Sequence, residues 1–341
     1  MTVFSDYLKT ITSILLCAVS SLSFAQHFLP IARKDAVSFR GVETYKTSCV
    51  WVSGSKGTVG KSVDGGKSWL WVNPNGYQNY DFRDIEVFSE KEAIIVSAGS
   101  PAVILRTSDG GISWTEVYRD DRPAAFLDGI DFNGAEGFVI GDPFDGRFQL
   151  LHSKDRGKTW NDVSDFILLL AEEGEAAFAA SGTSLCYFRN DLWVGTGGVS
   201  AHLFRRNEKK LKMEKLPCPI IQGSASQGIF SVDFRTDKIG IVVGGDYKRD
   251  SISEQAILLT QDGGFTWVKP NNSGSGFKSC VKYLDKHVIL TTGTSGTDIS
   301  YDGGYTWKNL SAESFNSFAV GKRKKEIYLV GSQGNISKLI L

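Results

Sequence analysis

The chain has 341 residues, of which 38 are basic and 38 acidic, so its formal net charge at pH 7 is zero. This balance argues against a general binder of nucleic acids or anionic membranes, because such proteins carry an excess of lysine and arginine. Four scattered histidines and five cysteines without a C-x-x-C pair leave little material for a metal site. We therefore predict neither a metal nor a cofactor.

Residues 1–25 have the pattern of a secretory signal peptide. Lys9 gives a weakly positive start, residues 11–19 form a short apolar core, and residues 23–25 (SFA) resemble a signal-peptidase site. A membrane anchor is the alternative, although the apolar run is too short to span a bilayer comfortably. The sequence thus predicts an exported protein, periplasmic or secreted, with no stable membrane span after cleavage.

An eight-residue pattern then recurs five times: Ser or Thr, any residue, Asp, Gly or Arg, Gly, any residue, Ser or Thr, Trp. We call these segments Asp boxes; they cover residues 62–69, 107–114, 153–160, 260–267 and 300–307. In each box the carboxylate can accept backbone N–H groups and the glycines allow positive φ, which is typical of a hairpin turn. Turn chemistry therefore assigns a structural role to Asp64, Asp109, Asp155, Asp262 and Asp302.

The spacing of the boxes indicates the architecture. Their tryptophans are 45, 46, 107 and 40 residues apart, which fits a propeller repeat of about 40–50 residues with one box missing. Short strands led by an apolar residue open at seven places: residues 39, 82, 127, 178, 229, 277 and 315. We predict an all-β fold, a seven-bladed β-propeller of four-stranded antiparallel blades. Residues 26–341 would form this single, monomeric domain.

The seventh repeat is too short for four strands. We expect residues 28–32 to supply its outer strand, because closing the ring in this way removes free sheet edges. The basic runs at residues 205–215 and 322–325 are interpreted as solvated hairpin tips. Cys49, Cys186, Cys218 and Cys280 are expected to be buried free thiols, although a disulfide between Cys186 and Cys218 stays open.

Candidate binding residues lie on loops of one face. The Asp boxes join third to fourth strands, so the remaining loops, which carry more varied chemistry, lie on the opposite face around the channel. The candidates in these loops are Asp142, Asp145, Arg147, Glu175, Asp246 and Tyr247. For Asp142 and Asp246 the alternative is a capping role in a tight glycine turn, and Arg147 and Glu175 would alternatively form an ion pair that braces neighbouring loops.

The position after each leading apolar residue adds a second set. Arg40, Arg83 and Lys278 occupy it in the first, second and sixth repeats, and Asp128 occupies it in the third. In equal register these side chains would approach the channel mouth together. We predict an anion-accepting pocket there, because low-dielectric walls focus the field of clustered cations. The alternative is a solvated channel lining.

The boxes resemble the BNR, or Asp-box, repeats of sialidases. The chain as a whole is more similar to the photosystem II stability/assembly factor-like family, through the Phe39-Arg-Gly opening and the motifs at residues 141–148 (GDPFDGRF), 174–183 (GEAAFAASGT), 228–234 (GIFSVDF) and 244–247 (GGDY). The resemblance implies a seven-bladed propeller, and some relatives bind unassembled membrane-protein subunits. It carries no established catalytic set.

Two functions remain open. The favoured one is a binding or assembly propeller that recognises a protein segment, or an anionic glycan, on the face opposite the Asp boxes. The other is a sialidase-like glycoside hydrolase, which needs paired carboxylates or a tyrosine with a carboxylate partner. The arginine-containing F/Y-R-I-P signature of sialidases is absent from the sequence, as is a dinucleotide-binding fingerprint. Whether the protein is an enzyme is left open.

Overall fold

Seven antiparallel sheets form the computed structural model, which describes residues 27–206, 212–321 and 326–341. From blade one to blade six, the first strand of each blade contacts the first strand of the next. The second strand of blade six contacts the first strand of blade seven, which in turn contacts the first strand of blade one, so the ring is closed. The predicted all-β, seven-bladed propeller is confirmed. The predicted signal peptide, residues 207–211 of the first basic run and residues 322–325 lie outside the described residues. Within the described residues, no helix is long and apolar enough to cross a membrane.

Blades one to three have four strands each, in chain order from the channel outward. Their strands are Phe39–Tyr45, Cys49–Gly54, Thr58–Ser62 and Leu70–Trp71; Asp81–Val87, Ala93–Ala98, Ala102–Thr107 and Thr115–Asp120; and Leu127–Asn133, Glu136–Phe144, Arg147–Ser153 and Asn161–Asp162.

Blades four to seven follow the same scheme with local departures. Their strands are Leu185–Phe188, Asp191–Gly195, His202–Arg206 and Glu214–Pro217; Gln227–Phe234, Gly240–Asp246 and Ile257–Thr260, with Val268 bridging to Leu259; Cys280–Tyr283, Ile289–Gly293, Gly296–Ser300 and Lys308–Ser311; and Ser317–Val320, Glu326–Val330, Asn335–Ile340 and His27–Arg33. A short 3-10 turn, Ser332–Gly334, lies in blade seven.

The fourth blade opens later than the sequence predicted. Its first strand is Leu185–Phe188, whereas residues 178–181 form no strand. The ring of Phe178 instead stacks on Phe230 of blade five, with 3.9 Å between the ring centroids. Just before it, Glu175–Ala176 pairs with Gly197–Gly198 and joins the sheet of blade five. The aromatic residue thus leads a loop at the channel mouth and not a strand.

The N-terminal strand closes the ring as expected. His27–Arg33 pairs antiparallel with Asn335–Ile340, with His27 opposite Ile340. The ring of Phe28 is also nearly parallel to that of Phe315, the leading residue of blade seven, with 6.2 Å between the ring centroids. This pairing gives blade seven its outer strand from the other end of the chain and leaves no open seam between blades.

The Asp boxes are the turns between third and fourth strands. In the last box Asp302 accepts hydrogen bonds from the Ser300 hydroxyl at 2.8 Å and from the Thr306 amide and hydroxyl at 2.9 and 2.6 Å. The other four boxes repeat these contacts. In the first box, hydrogen bonds from Ser68 lower the pKa of Asp64 to about 2. The carboxylate oxygens of these aspartates are therefore hydrogen-bonded within their own turns.

Carboxylates on the first strands link neighbouring blades. Asp84 accepts the amide of Ile130 at 2.8 Å, Asp131 that of Tyr187 at 2.7 Å, and Asp233 that of Tyr283 at 2.6 Å. These residues line a channel cavity of about 150 Å³ together with Lys282. Burial by itself lowers the pKa of Lys282, but the facing carboxylates outweigh it and raise that pKa. Burial raises the pKa of Asp84, Asp131 and Asp233, so the channel interior holds a buried ammonium group among carboxyl groups that are harder to ionise than in water.

The four described cysteines are buried and free. The disulfide between Cys186 and Cys218 that the sequence left open is not formed. Burial raises the pKa of Cys218 to about 12 and raises that of Cys186 well above its ordinary value. Both thiols pack in the apolar core between blades four and five.

Candidate functional site

A pocket of about 510 Å³ occupies the channel mouth. It lies at the ends of the second strands and the starts of the first strands, whereas the Asp boxes follow the ends of the third strands. Because successive strands are antiparallel, these positions are on opposite faces of the ring. The pocket is therefore on the face where the sequence placed the binding loops.

Bulges in the first strands direct side chains into this mouth. In blades one, two, three and five the pairing register shifts across one residue of the first strand; the skipped residues are Arg40, Arg83, Asp128 and Phe230. A bulge turns the extra residue away from the regular alternation of the sheet. All four side chains line the pocket. The pocket therefore receives basic, acidic and aromatic side chains from equivalent positions of four blades.

Two arginines form one side of the pocket. The Arg40 guanidinium donates one hydrogen bond, to the carbonyl of Ala180 at 3.2 Å. Burial, together with Arg83, lowers the pKa of Arg40 to about 10. Arg83 is held by Asp81, with 2.8 Å between Nε and Oδ2, and lies over the ring of Phe126. Arg40 is thus the less neutralised of the two cations.

Two carboxyl groups of blade three form the second side. Asp128 is 1 % exposed, and neither of its carboxylate oxygens has a hydrogen-bond partner in the described structure. Burial and the nearby Asp142 raise its pKa well above the ordinary value. Burial also raises the pKa of Asp142 to about 6, although the Ala177 amide donates to it at 3.1 Å. The two residues follow Leu127 and Gly141, which are paired across neighbouring strands.

Aromatic rings of blades five and six and of the loop before blade four form the third side, which we call the aromatic wall. It consists of Phe178, Phe230, Tyr247 and Phe277. Phe230 is at its centre, stacked on Phe178 and edge-on to Phe277 and Tyr247, with 4.7 and 6.1 Å between the ring centroids. Tyr247 is 46 % exposed and forms the outer edge. Phe230 and Phe277 are buried and Phe178 is partly exposed, so Tyr247 and Phe178 present the accessible apolar surface of the wall.

Lys278 lies outside the pocket, contrary to prediction. Its amide donates to Gly244 of the preceding blade, as the amide of Phe39 donates to Gly331, so Lys278 occupies the leading position of blade six and Ser279 the position of Arg40. Its ammonium forms a buried ion pair with Asp298 at 2.7 Å. The expected trio of cations is therefore reduced to two arginines, which face the carboxyl groups of Asp81, Asp128 and Asp142.

The GDPFDGRF motif forms a hairpin beside the pocket. Strands Glu136–Phe144 and Arg147–Ser153 extend through it and are joined by a tight turn at Asp145 and Gly146, both with positive φ. Arg147 forms an ion pair with Asp165 at 2.9 Å. Of the motif's charged residues only Asp142 lines the pocket.

Glu175 belongs to a separate network with side chains of blade four. It contacts Thr196, His202 at 3.0 Å and Lys215 at 3.1 Å. Burial raises its pKa, but these hydrogen bonds outweigh burial and lower it overall. The alternative of an ion pair between Arg147 and Glu175 is wrong, because each has another partner. Lys215, which the sequence placed in a solvated tip, is instead part of this network.

Asp246 caps its own loop. It accepts hydrogen bonds from the Lys248 amide at 3.0 Å, from Arg249 at 2.9 Å and from Gln227 at 3.1 Å. Burial raises its pKa, but the combined donors lower it overall. The turn-capping alternative therefore accounts for Asp246, while the next residue, Tyr247, reaches the pocket.

Within residues 27–206, 212–321 and 326–341, no group of three or more His, Cys, Asp or Glu side chains has an arrangement that could hold a metal ion.

The aromatic wall was not predicted from the sequence, because Phe178 and Phe277 were interpreted as the leading apolar residues of strands. The signal was present in the GEAAF and GGDY motifs, which each bring one aromatic residue to the mouth.

The comparisons with known proteins agree with this architecture. Residues 20–125 and 79–167 match the family described as photosynthesis system II assembly factor YCF48. No curated protein sequence matches the chain. The resemblance to photosystem II assembly factor-like propellers that the motifs indicated is confirmed.

Solved structures with a similar fold include "YCF48 bound to D1 peptide", at 15 % identity and a TM-score of 0.67, covering 93 % of this chain and 95 % of that one. YCF48 from Cyanidioschyzon merolae gives 13 % identity and 0.67, covering 93 % and 99 %. The GH74 xyloglucanase from Xanthomonas campestris gives 14 % identity and 0.61, covering 92 % of this chain and 53 % of the enzyme. At these identities the likeness shows the fold alone.

Proposed function

We propose that this propeller binds a segment of another protein at its channel mouth, in the manner of an assembly factor. The observation that carries the proposal is the pocket itself, in which arginines, carboxyl groups and an aromatic wall surround about 510 Å³. Binding sites are commonly concave, largely apolar and equipped with a few polar groups. The similar fold of YCF48, whose structure was solved with a D1 peptide, supports a peptide as the ligand.

The aromatic wall would supply most of the affinity. An apolar side chain of the bound segment would pack on Tyr247 and Phe178, which are the exposed rings of the wall. Removing about 100 Å² of apolar surface from water stabilises a complex by about 2.5 kcal/mol. Because the rings already contact one another, little conformational entropy is lost on binding. Arg40, with one hydrogen bond inside the protein, would bind a carboxylate or carbonyl oxygen of the segment.

Peptide selection tests this proposal. Short peptides of varied sequence are selected on the immobilised protein, and their dissociation constants are measured by fluorescence anisotropy. We expect Tyr247→Ala and Arg40→Gln each to weaken binding about tenfold, as at interface hot spots. The matched control is Ile112→Ala, an exposed residue of an Asp box, which should leave binding unchanged. Equal losses in all three variants would contradict the proposal.

A glycoside hydrolase is the second candidate, because Asp128 and Asp142 share one pocket and both have raised pKa values. Paired carboxyl groups of unequal acidity are the requirement of glycoside hydrolysis. The absence of the sialidase F/Y-R-I-P signature from the sequence weighs against it. A panel of chromogenic glycosides that includes a sialoside tests it: turnover that is lost in Asp142→Asn would establish hydrolysis. Binding of an anionic glycan without turnover would identify a lectin-like function.

We also propose that the protein is a monomer and is exported from the cytoplasm. The proposal of export rests on the sequence of residues 1–25 and not on the folded domain. The test is N-terminal sequencing of the protein recovered from its source cells. A mature chain that begins at Gln26 is expected, and an intact N-terminus in the cytoplasm would contradict export.

A further inference from the structure

Two neighbouring carboxyl groups, those of Asp128 and Asp142, lie in the pocket. A site for peptides in general does not require them. Asp128 lines the pocket, is 1 % exposed and has no hydrogen-bond partner for either oxygen among the described residues. A buried carboxyl group without partners destabilises the free protein. A ligand that supplies hydrogen-bond donors would remove this penalty.

Nearby cations of the protein do not fill that role. Arg83 lies on the neighbouring blade, but its Nε is held by Asp81 and its guanidinium lies over Phe126. Arg40 donates to the Ala180 carbonyl. In the part of the chain that the structure describes, no ion pair joins Arg40 or Arg83 to a carboxylate oxygen of Asp128 or Asp142. Both residues line the pocket; Asp142 is partly exposed to it and Asp128 is buried in its wall.

We infer that Asp128 and Asp142 form a subsite for a primary ammonium group, so that the bound segment presents a lysine side chain or a free N-terminus to them. This inference rests on the proposed function and specifies its ligand. An ammonium group has three donors and no acceptor, which matches two acceptor groups on adjacent strands. A bound cation would also favour ionisation of the two carboxyl groups, whose pKa values are raised in the free protein, whereas a neutral donor would not.

The rest of the pocket suits the same ligand. The alkyl stem of a lysine is apolar and packs on aromatic rings while its charged end contacts carboxylates. The faces of aromatic rings also attract cations, more strongly where water is excluded. The aromatic wall lines the same cavity as the two carboxyl groups, so one side chain would contact both.

Two small probes test the subsite. Nα-acetyl-lysine methylamide and Nα-acetyl-norleucine methylamide share their backbone and the alkyl stem to Cε, and differ in the ammonium group. Their dissociation constants for the full-length protein are measured by saturation-transfer NMR. We expect the lysine probe to bind at least about tenfold more tightly, the difference that a charge-assisted hydrogen bond produces.

The variants are Asp128→Asn and Asp142→Asn, which keep side-chain shape and remove the charge. Each should weaken binding of the lysine probe about tenfold and leave the norleucine probe unchanged. Asp145→Asn is the matched control: Asp145 is exposed in the adjoining hairpin, and asparagine tolerates its positive φ. Thermal unfolding of each variant verifies that it is folded.

Equal affinities for the two probes, no binding of either, or full lysine binding in Asp128→Asn and Asp142→Asn would overturn the inference. These outcomes differ from failure of the proposed function. If selected peptides still bind and depend on Tyr247 and Arg40, the peptide site stands and the ammonium subsite is wrong. If no peptide binds, the proposed function itself fails.

Discussion

Lys278 and Asp298 form an ion pair in which both side chains are fully buried, with 2.7 Å between Nζ and Oδ2. The ammonium also donates to the hydroxyls of Ser275 and Ser295 and to the Gly296 carbonyl. This pair removes a cation from the channel mouth and changes the electrostatic character of the pocket. The sequence predicted an anion site at the mouth, whereas the structure has a pocket with cationic, acidic and aromatic sides.

The pair should matter for stability. Lys278→Met leaves Asp298 buried without its counter-ion, and breaking a buried pair in this way costs about 3–5 kcal/mol. The double variant Lys278→Met/Asp298→Leu should lose less than the single variant, because no charge remains buried. Urea unfolding of the two variants measures this. A single variant as stable as the parent protein would contradict the assignment.

Asp142 should make stability depend on pH. Its pKa is about 6 in the folded protein, against 3.8 as its ordinary value. Because the folded pKa is the higher one, the protonated group stabilises the folded state fully below about pH 3.8, and this contribution is lost as pH rises through about 6.

Asp142→Asn should remove that dependence. The stability difference between the parent protein and the variant is expected to change by up to about 3 kcal/mol between pH 3.5 and pH 7, in the direction that favours the variant at the higher pH. Urea unfolding across this range measures the difference. A constant difference across the range would show that Asp142 titrates normally.

The Asp boxes should affect stability and not binding. Asp302→Ala removes three hydrogen bonds that hold one turn, so the midpoint of thermal unfolding should fall by a few degrees. Selected peptides should bind this variant as they bind the parent protein. Loss of binding in the folded variant would place a function on the Asp-box face.

The thiols should be inert in the folded state. Cys49, Cys186, Cys218 and Cys280 are buried, and burial raises the pKa of Cys218 to about 12, so little thiolate forms at neutral pH. A thiol reagent should label all four only after unfolding without a reductant. Labelling of two of the four after such unfolding would indicate a disulfide.

The architecture was predictable because its signals are local. An Asp box closes its own turn, as Asp302 shows, so the repeat could be read from the sequence without knowledge of the tertiary structure. The closing strand around Phe28 followed from counting strands. The start of blade four was missed because Phe178 has the apolar character of a leading residue, yet packs on Phe230 across a blade boundary.

The candidate site was predictable in part. The bulge position that holds Arg40, Arg83 and Asp128 repeats in sequence, so these residues could be named in advance. In blade six the alignment with blade one is shifted by one residue, so Ser279 and not Lys278 occupies the position of Arg40 at the mouth. A one-residue shift in a strand changes the direction of a side chain, and nothing in the local sequence marks it. The isolation of Asp128 depends on its neighbours in space and had no sequence signal.

The most direct test of the central claim is photo-crosslinking in the source cells. A benzophenone amino acid replaces Tyr247 at the edge of the pocket or, as the control, the exposed Ile112 of an Asp box, and crosslinked peptides are identified by mass spectrometry. The proposed function predicts crosslinks from position 247 to one recurring protein segment, none to that segment from position 112, and their loss when Arg40→Gln is added. Crosslinks to the same proteins from both positions would contradict a binding site at the channel mouth.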